Sequence, residues 1–162
     1  IMRELTEAAK AAKEIRAMLK KNGIQARVKS KSYSMGSSVD IYTTDLAPWV
    51  EAAIKKAVEP YEYGTFDSMT DCSGFKNESF KGPQAKHVFF NNSMSDQKHS
   101  EIWEIVRATF AGFEDAPEDH KQAWNFAPKR GGYERGDIMI SRLFRDHHND
   151  YGVWAKPRVR AA

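Results

Sequence analysis

Between residues 3 and 21, Ala8, Ala12, Ile15 and Leu19 recur three or four positions apart, flanked by Leu5 and Met18. Lys10, Lys13, Lys20 and Lys21 hold the other side, so the pattern predicts an amphipathic helix. Glu4 and Glu7 near its start and Lys20 and Lys21 at its end suit the helix dipole. Asn22-Gly23 then supplies a left-handed stop.

The period now changes to two. Ile24, Ala26 and Val28 alternate with Gln25, Arg27 and Lys29, and Lys31 continues the polar side. This predicts a strand over 24–30 with three cations in a row on one face. Gly36 allows a tight reversal in the serine-rich loop that follows. A second strand over 38–42 turns Val39 and Ile41 inward, and sets Asp40 and Tyr42 outward among the cations. Asp45, with Thr43 and Thr44 as competitors, is the expected N-cap of a helix over 46–58. Pro48 falls in its first turn, and Val50, Ala53, Ile54, Ala57 and Val58 form its apolar stripe. Pro60 ends it, and Trp49 reads as a core or rim anchor. The opening is therefore αββα with the two strands antiparallel.

Residues 59–86 hold no sustained period. Tyr61, Tyr63, Phe66, Phe75 and Phe80 are interleaved there with Glu62, Asp67, Asp71 and Glu78. A connection this long in a compact domain is functional or ordered by its own aromatics. Residues 86–91 read as a third strand. Ser95 caps a helix over 96–111 whose apolar face is Ile102, Ile105, Val106, Thr109 and Phe110. From Gly112 the chain is polar and irregular, with Trp124 and Phe126 as docking anchors. Ile138, Met139 and Ile140 suggest a fourth strand, residues 142–152 a final helical turn, and the rest an exposed basic end. The expected organisation is an α+β core domain over 1–111, a small, mostly antiparallel sheet with helices on one face. An irregular extension over 112–162 would dock on it.

Composition adds bounds. A length of 162 residues and 41% apolar content suit one domain with a real core, at most with an appendage. The single cysteine, Cys72, excludes an intrachain disulfide and a multi-cysteine zinc site. No apolar run reaches the roughly 18–20 residues that span a bilayer, and residues 1–21 lack a signal-peptide pattern. We expect a soluble protein of a reducing cytoplasm. Net charge is +3 but uneven: residues 1–31 hold nine Lys or Arg against three Glu, residues 32–111 seven against eleven acids. That asymmetry points to a polyanion or an acidic partner for the first part, against the alternative of a merely solvated basic face.

Candidate chemistry is sparse. His147 and His148 beside Asp146 and Asp150 form one His/Asp cluster, but adjacent histidines point apart on a helix. A metal site there would need His87, His99 or His120 from elsewhere. Asp67, Asp71 and Glu62 lack calcium-loop spacing, and Ser34, Ser37 and Ser38 around Gly36 lack a nucleotide-loop motif. Cys72 has no nucleophile setting. The pattern thus names no catalytic residue, no metal and no cofactor. Lys31, Tyr33 and Tyr42 on the basic face suit single-stranded nucleic acid, by phosphate contact and stacking.

Val28, Ser30, Ser32, Tyr33, Gly36, Ser37, Ser38, Val39 and Ile41, followed by Phe66, Asp67, Met69, Thr70 and Asp71, form an ordered series of motifs. Over about residues 8–95 this resembles the large polyvalent protein-associated domains of phages and mobile elements. Two residues depart from the family pattern: Met35 stands for a loop glycine, and Ser68 for the glycine of the Phe-Asp-Gly-Met-Thr-Asp run. The resemblance implies a small α+β domain, deployed in the bacterial host cytoplasm around DNA entry or against host defences, with no catalytic residues to carry over.

The leading expectation is a non-enzymatic inhibitor of a bacterial nucleic-acid-targeting defence complex. The partner would be a host protein or ribonucleoprotein, met by a basic face in its nucleic-acid groove or by an acidic loop that mimics nucleic acid. Direct binding of DNA or RNA is the alternative, and a metal-dependent nuclease built on the His/Asp cluster the third reading. The expected partner site is Lys20, Lys21, Arg27, Lys29, Lys31, Tyr33 and Tyr42. Tyr61, Tyr63, Phe66, Asp67 and Asp71 make a secondary loop site.

Overall fold

Thr6 opens the first helix of the computed structural model, which describes residues 3–128, 134–146 and 149–154. Its hydroxyl accepts from the Ala9 N–H at 3.2 Å, and α1 runs Glu7–Lys21. Helix α1 thus starts four residues later than its apolar pattern suggests, and Leu5 is left exposed. Its end is a Schellman motif, with Gly23 at φ 71°. The Gly23 N–H bonds Lys20 O at 3.1 Å, and the Ile24 N–H bonds Leu19 O at 2.9 Å. The cap therefore uses Ile24, and the strand expected from residue 24 begins only at Arg27.

Strand β1 is Arg27–Tyr33, and β2 is Gly36–Thr44. They pair antiparallel across the two-residue turn Ser34-Met35, with Val28 opposite Ile41 and Lys29 opposite Asp40. The expected αββα opening is present. Helix α2 is Pro48–Val58, so Asp45 is not its N-cap. Asp45 instead takes φ 54°, its N–H bonded to Ser93 O at 2.8 Å. Ile54 and Val58 are buried, but Ala53 and Ala57 are exposed, so the apolar face is narrower than expected.

A 3-10 turn, Glu59–Tyr61, leads into a hairpin that the sequence did not announce: β3, Gly64–Asp67, and β4, Cys72–Phe75. Strand β5, His87–Ser93, then returns beside β2. It lies parallel to β2, so the main sheet is mixed, in the order β1-β2-β5. The architecture is α+β, as expected. Helix α1 packs on the apolar face through Ala8, Ala11, Ala12, Ile15 and Leu19, where Val28, Val39 and Ile41 are also buried.

Contacts divide the chain into two units, Ile1–Leu46 with Glu51–Ser93, and Ala47–Val50 with Met94–Ala162. The helix expected inside the first domain thus shares its core with the segment expected as an extension. In the second unit Ser95 caps α3, Asp96–Thr109, by accepting from the Lys98 N–H at 3.1 Å. A 3-10 segment covers His120–Asn125, and α4 covers Gly136–Arg145. The strand expected at 138–140 is therefore helix. Met139, Ile140, Leu143 and Phe144 are buried at helical spacing, while Ile138 is exposed. Trp103 and Phe113 centre this core with rings 6.0 Å apart, and the Trp103 indole donates to Pro117 O at 2.7 Å. Phe126 joins them, but the other expected anchor, Trp124, is exposed.

Candidate nucleic-acid interface

A pleated strand sends alternate side chains to opposite faces, and residues paired across strands share a face. Applied to the pairing of β1, β2 and β5, this sets three rows across the face opposite α1. Arg27, Tyr42 and Asn91 form the first, Lys29, Asp40 and Phe89 the second, and Lys31, Ser38 and His87 the third. The three expected cations are exposed along the free edge strand. The Arg27 guanidinium lies 4.7 Å from the Tyr42 ring centroid, a cation–π contact between cross-strand neighbours. Lys31 Nζ stands 3.0 Å from Asp40 Oδ2. That contact, and then the carboxylate charge itself, raises the Lys31 pKa.

The central and far strands add what the sequence did not show. Phe89 is 51% exposed, an unusual state for a phenylalanine in a strand, and the His87 ring stacks on it at 5.7 Å. The alternation within 86–91 was legible, but which strand β5 would join was not. Helix α1 carries Lys20 and Lys21 in the layer behind the cations. Tyr33 closes the β1 end, half exposed, its hydroxyl donating to Ser37 O at 3.3 Å. Arg27, Lys29, Lys31 and Tyr42 thus share one face with Phe89 and His87, and Lys20 and Lys21 belong to the other layer.

The secondary loop residues divide as well. Tyr61 is committed to packing: its hydroxyl donates to Glu14 at 3.1 Å, its ring meets Phe80 edge-on at 5.0 Å, and burial raises its pKa first, then that bond. Tyr63 stacks on Phe75 at 5.8 Å at the base of the hairpin. Phe66 and Phe75 lie on one face of the hairpin, 61% and 73% exposed, with Met69 exposed at its tip. Asp67 accepts from the Met69 N–H at 2.9 Å, and this bond, followed by the Thr70 hydroxyl, holds its pKa below the ordinary value. Asp71 takes φ 54°. Met35 and Ser68, the two departures from the family pattern, do not have positive φ, so neither needs the missing glycine.

The other candidate chemistry separates. The Glu62 carboxylate accepts from the Val88 N–H at 2.7 Å and pairs with Lys76 at 2.7 Å, engaged away from Asp67 and Asp71. Ser37 Oγ accepts from the Lys86 N–H at 3.2 Å, and Ser38 is buried in β2, as a hairpin would have them. In the second unit His120 Nε2 meets Asp96 Oδ1 at 2.8 Å and its ring lies 6.1 Å from that of His99. Asp96, Asp137, Lys121 and Trp124 line a cavity of about 330 Å³ beside them. Among the described residues no three His, Cys, Asp or Glu converge to hold a metal. His147 and His148 lie outside the described residues, as does the basic end. No helix among the described residues is long and apolar enough to cross a membrane.

Comparison with known proteins returns one family. The model described as large polyvalent protein associated domain 29 matches residues 6–102, which includes the whole β1-β2-β5 sheet and the β3–β4 hairpin. That match associates the chain with phages and mobile elements. No curated protein and no solved structure matches it.

Proposed function

We propose that this chain, which belongs to the large polyvalent protein associated domain 29 family, acts by binding rather than turnover, and that its open sheet face takes single-stranded nucleic acid. The observation that supports this is the pairing itself. It places Arg27, Lys29 and Lys31 along one edge and Tyr42, Phe89 and His87 beside them on the same face. Cations meet phosphates, and exposed rings stack on bases without regard to sequence. The sign of the charge ranks this above the expectation that the basic face fills a defence complex's nucleic-acid groove, because such a groove is itself basic.

The test is fluorescence anisotropy of labelled single-stranded oligonucleotides across a salt series. Three phosphate contacts predict a log–log slope of about −2, at roughly −0.7 per contact for single strands. Phe89→Ala should cost about 1–3 kcal/mol of binding. Arg27→Glu with Lys29→Glu and Lys31→Glu should abolish it in a folded protein. A folded triple variant that binds as well as the wild type removes the reading.

A second reading, inhibition of a host nucleic-acid-targeting defence protein, is favoured by the hairpin. Phe66, Met69 and Phe75 are exposed together, and Asp67 and Asp71 flank the turn. Exposed apolar patches mark protein contacts. Phage plating on a defence-carrying host separates the readings. Phe66→Ser with Phe75→Ser should lose protection if the hairpin binds the target, whereas the triple charge reversal should lose it if the sheet face does.

A further inference from the structure

Asp40 is out of place on a nucleic-acid face. It sits at the centre of the three-by-three grid, in one row with Lys29 and Phe89, and its side chain is only 9% exposed. Its Oδ2 is buried, and its partner is Lys31 Nζ at 3.0 Å, a charge-assisted contact with a side chain that is itself mostly in solvent. A buried carboxylate held by one flexible lysine keeps its acceptors paired only while that lysine stays, and needs new donors when it leaves. Lys31 itself is 60% exposed at its side chain, a long, flexible cation that phosphate could draw aside.

We infer that Asp40 reads a guanine. This rests on the nucleic-acid reading of the same face and goes on to name the base. Adjacent strands lie about 4.8 Å apart, so a base stacked on Phe89 carries its edge over β2, where Asp40 stands. A carboxylate offers two acceptors side by side and no donor. Guanine alone presents two adjacent donors on its Watson–Crick edge, N1–H and the N2 amino group. Adenine and cytosine set a lone pair beside their amino group, and uracil or thymine flanks its one N–H with two carbonyls. Each of those would aim a lone pair at the Asp40 charge. Single strands expose these edges for recognition, which a duplex does not. Lys31, released from Asp40, becomes free to meet the neighbouring phosphate.

The experiment measures anisotropy on short uridine oligonucleotides carrying one central guanosine, inosine, adenosine or cytidine, with deoxy counterparts as a second series. The guanosine oligonucleotide should bind roughly 5- to 150-fold tighter than uridine alone, the span of a bidentate base contact worth about 1–3 kcal/mol. Inosine lacks the N2 amino group and should lose much of that gain, with the protein unaltered. Asp40→Asn offers one donor and one acceptor, so the preference should move from guanosine to adenosine or cytidine. Its melting temperature confirms folding. Equal wild-type binding of all the oligonucleotides in both series, unaltered by Asp40→Asn, overturns the guanine inference and leaves the stacking face standing. A wild type that binds none of them overturns the nucleic-acid reading itself.

Discussion

Gly136→Ala sets helix propensity against packing, with opposite signs. Gly136 begins α4 with no left-handed φ, so alanine is allowed by the backbone and would favour the helix by about 0.5–1 kcal/mol. The space is another matter. A Cβ there would lie 2.7 Å from the Ala123 carbonyl oxygen and 2.7 Å from two carbons of the Trp103 six-membered ring. Trp103 is fully buried and pinned by its indole bond to Pro117 O, and the Gly136 N–H is itself bonded to Phe126 O at 2.8 Å. Neither side has a flexible end that can swing away. Overpacking of this kind costs about 1–3 kcal/mol, so packing wins and the net loss should be about 1–2 kcal/mol. Urea denaturation followed by tryptophan fluorescence should show the midpoint fall by about 0.5–1 M at an ordinary slope. In a Trp103→Phe background the smaller ring relieves part of the clash, so the cost of Gly136→Ala should drop by at least about 0.5 kcal/mol. A midpoint that rises, or a cost unaffected by Trp103→Phe, would show that α4 does not seat on Trp103 through this glycine.

Three further outcomes follow from the same geometry. Ile15→Ala empties a fully buried site under the sheet and should cost about 2–5 kcal/mol in chemical denaturation; a loss below about 0.5 kcal/mol would refute its place in the core. Asp71→Gly should stabilise by up to about 1 kcal/mol because φ is 54° there, whereas Ser68→Gly, the glycine of the family pattern, should destabilise; thermal melts that rank the two the other way would refute this account of the turn. The Asp96 carboxyl is held below its ordinary pKa chiefly by its bond to His120, so its contribution is present above the unfolded carboxylate pKa near 4 and fades as pH falls through the lower folded value. Asp96→Asn should therefore flatten the acid side of a stability-against-pH curve measured below about pH 4, and an acid limb of unaltered steepness would count against that pair.

Local signals carried the parts of this protein that the sequence by itself determined. The apolar spacing of α1, its Asn22-Gly23 stop, the Ser95 cap and the alternation that lines up Arg27, Lys29 and Lys31 are each decided within a few residues. Short apolar runs were ambiguous for the same reason. Ile138, Met139 and Ile140 fit a strand until the burial of Leu143 and Phe144 completes a helical stripe. Helix ends were shifted by neighbours: the bond from the Ile24 N–H to Leu19 O delays β1, and Asp45 is drawn to Ser93 O instead of capping α2. What only the tertiary structure decided is the company the cations keep. Parallel pairing of β2 with β5 joins segments far apart in the chain, and no local period encodes which edge a strand will choose. That choice places Phe89 and His87 beside Tyr42, and it leaves Asp40 buried between Lys29 and Phe89, with Lys31 as its charged partner.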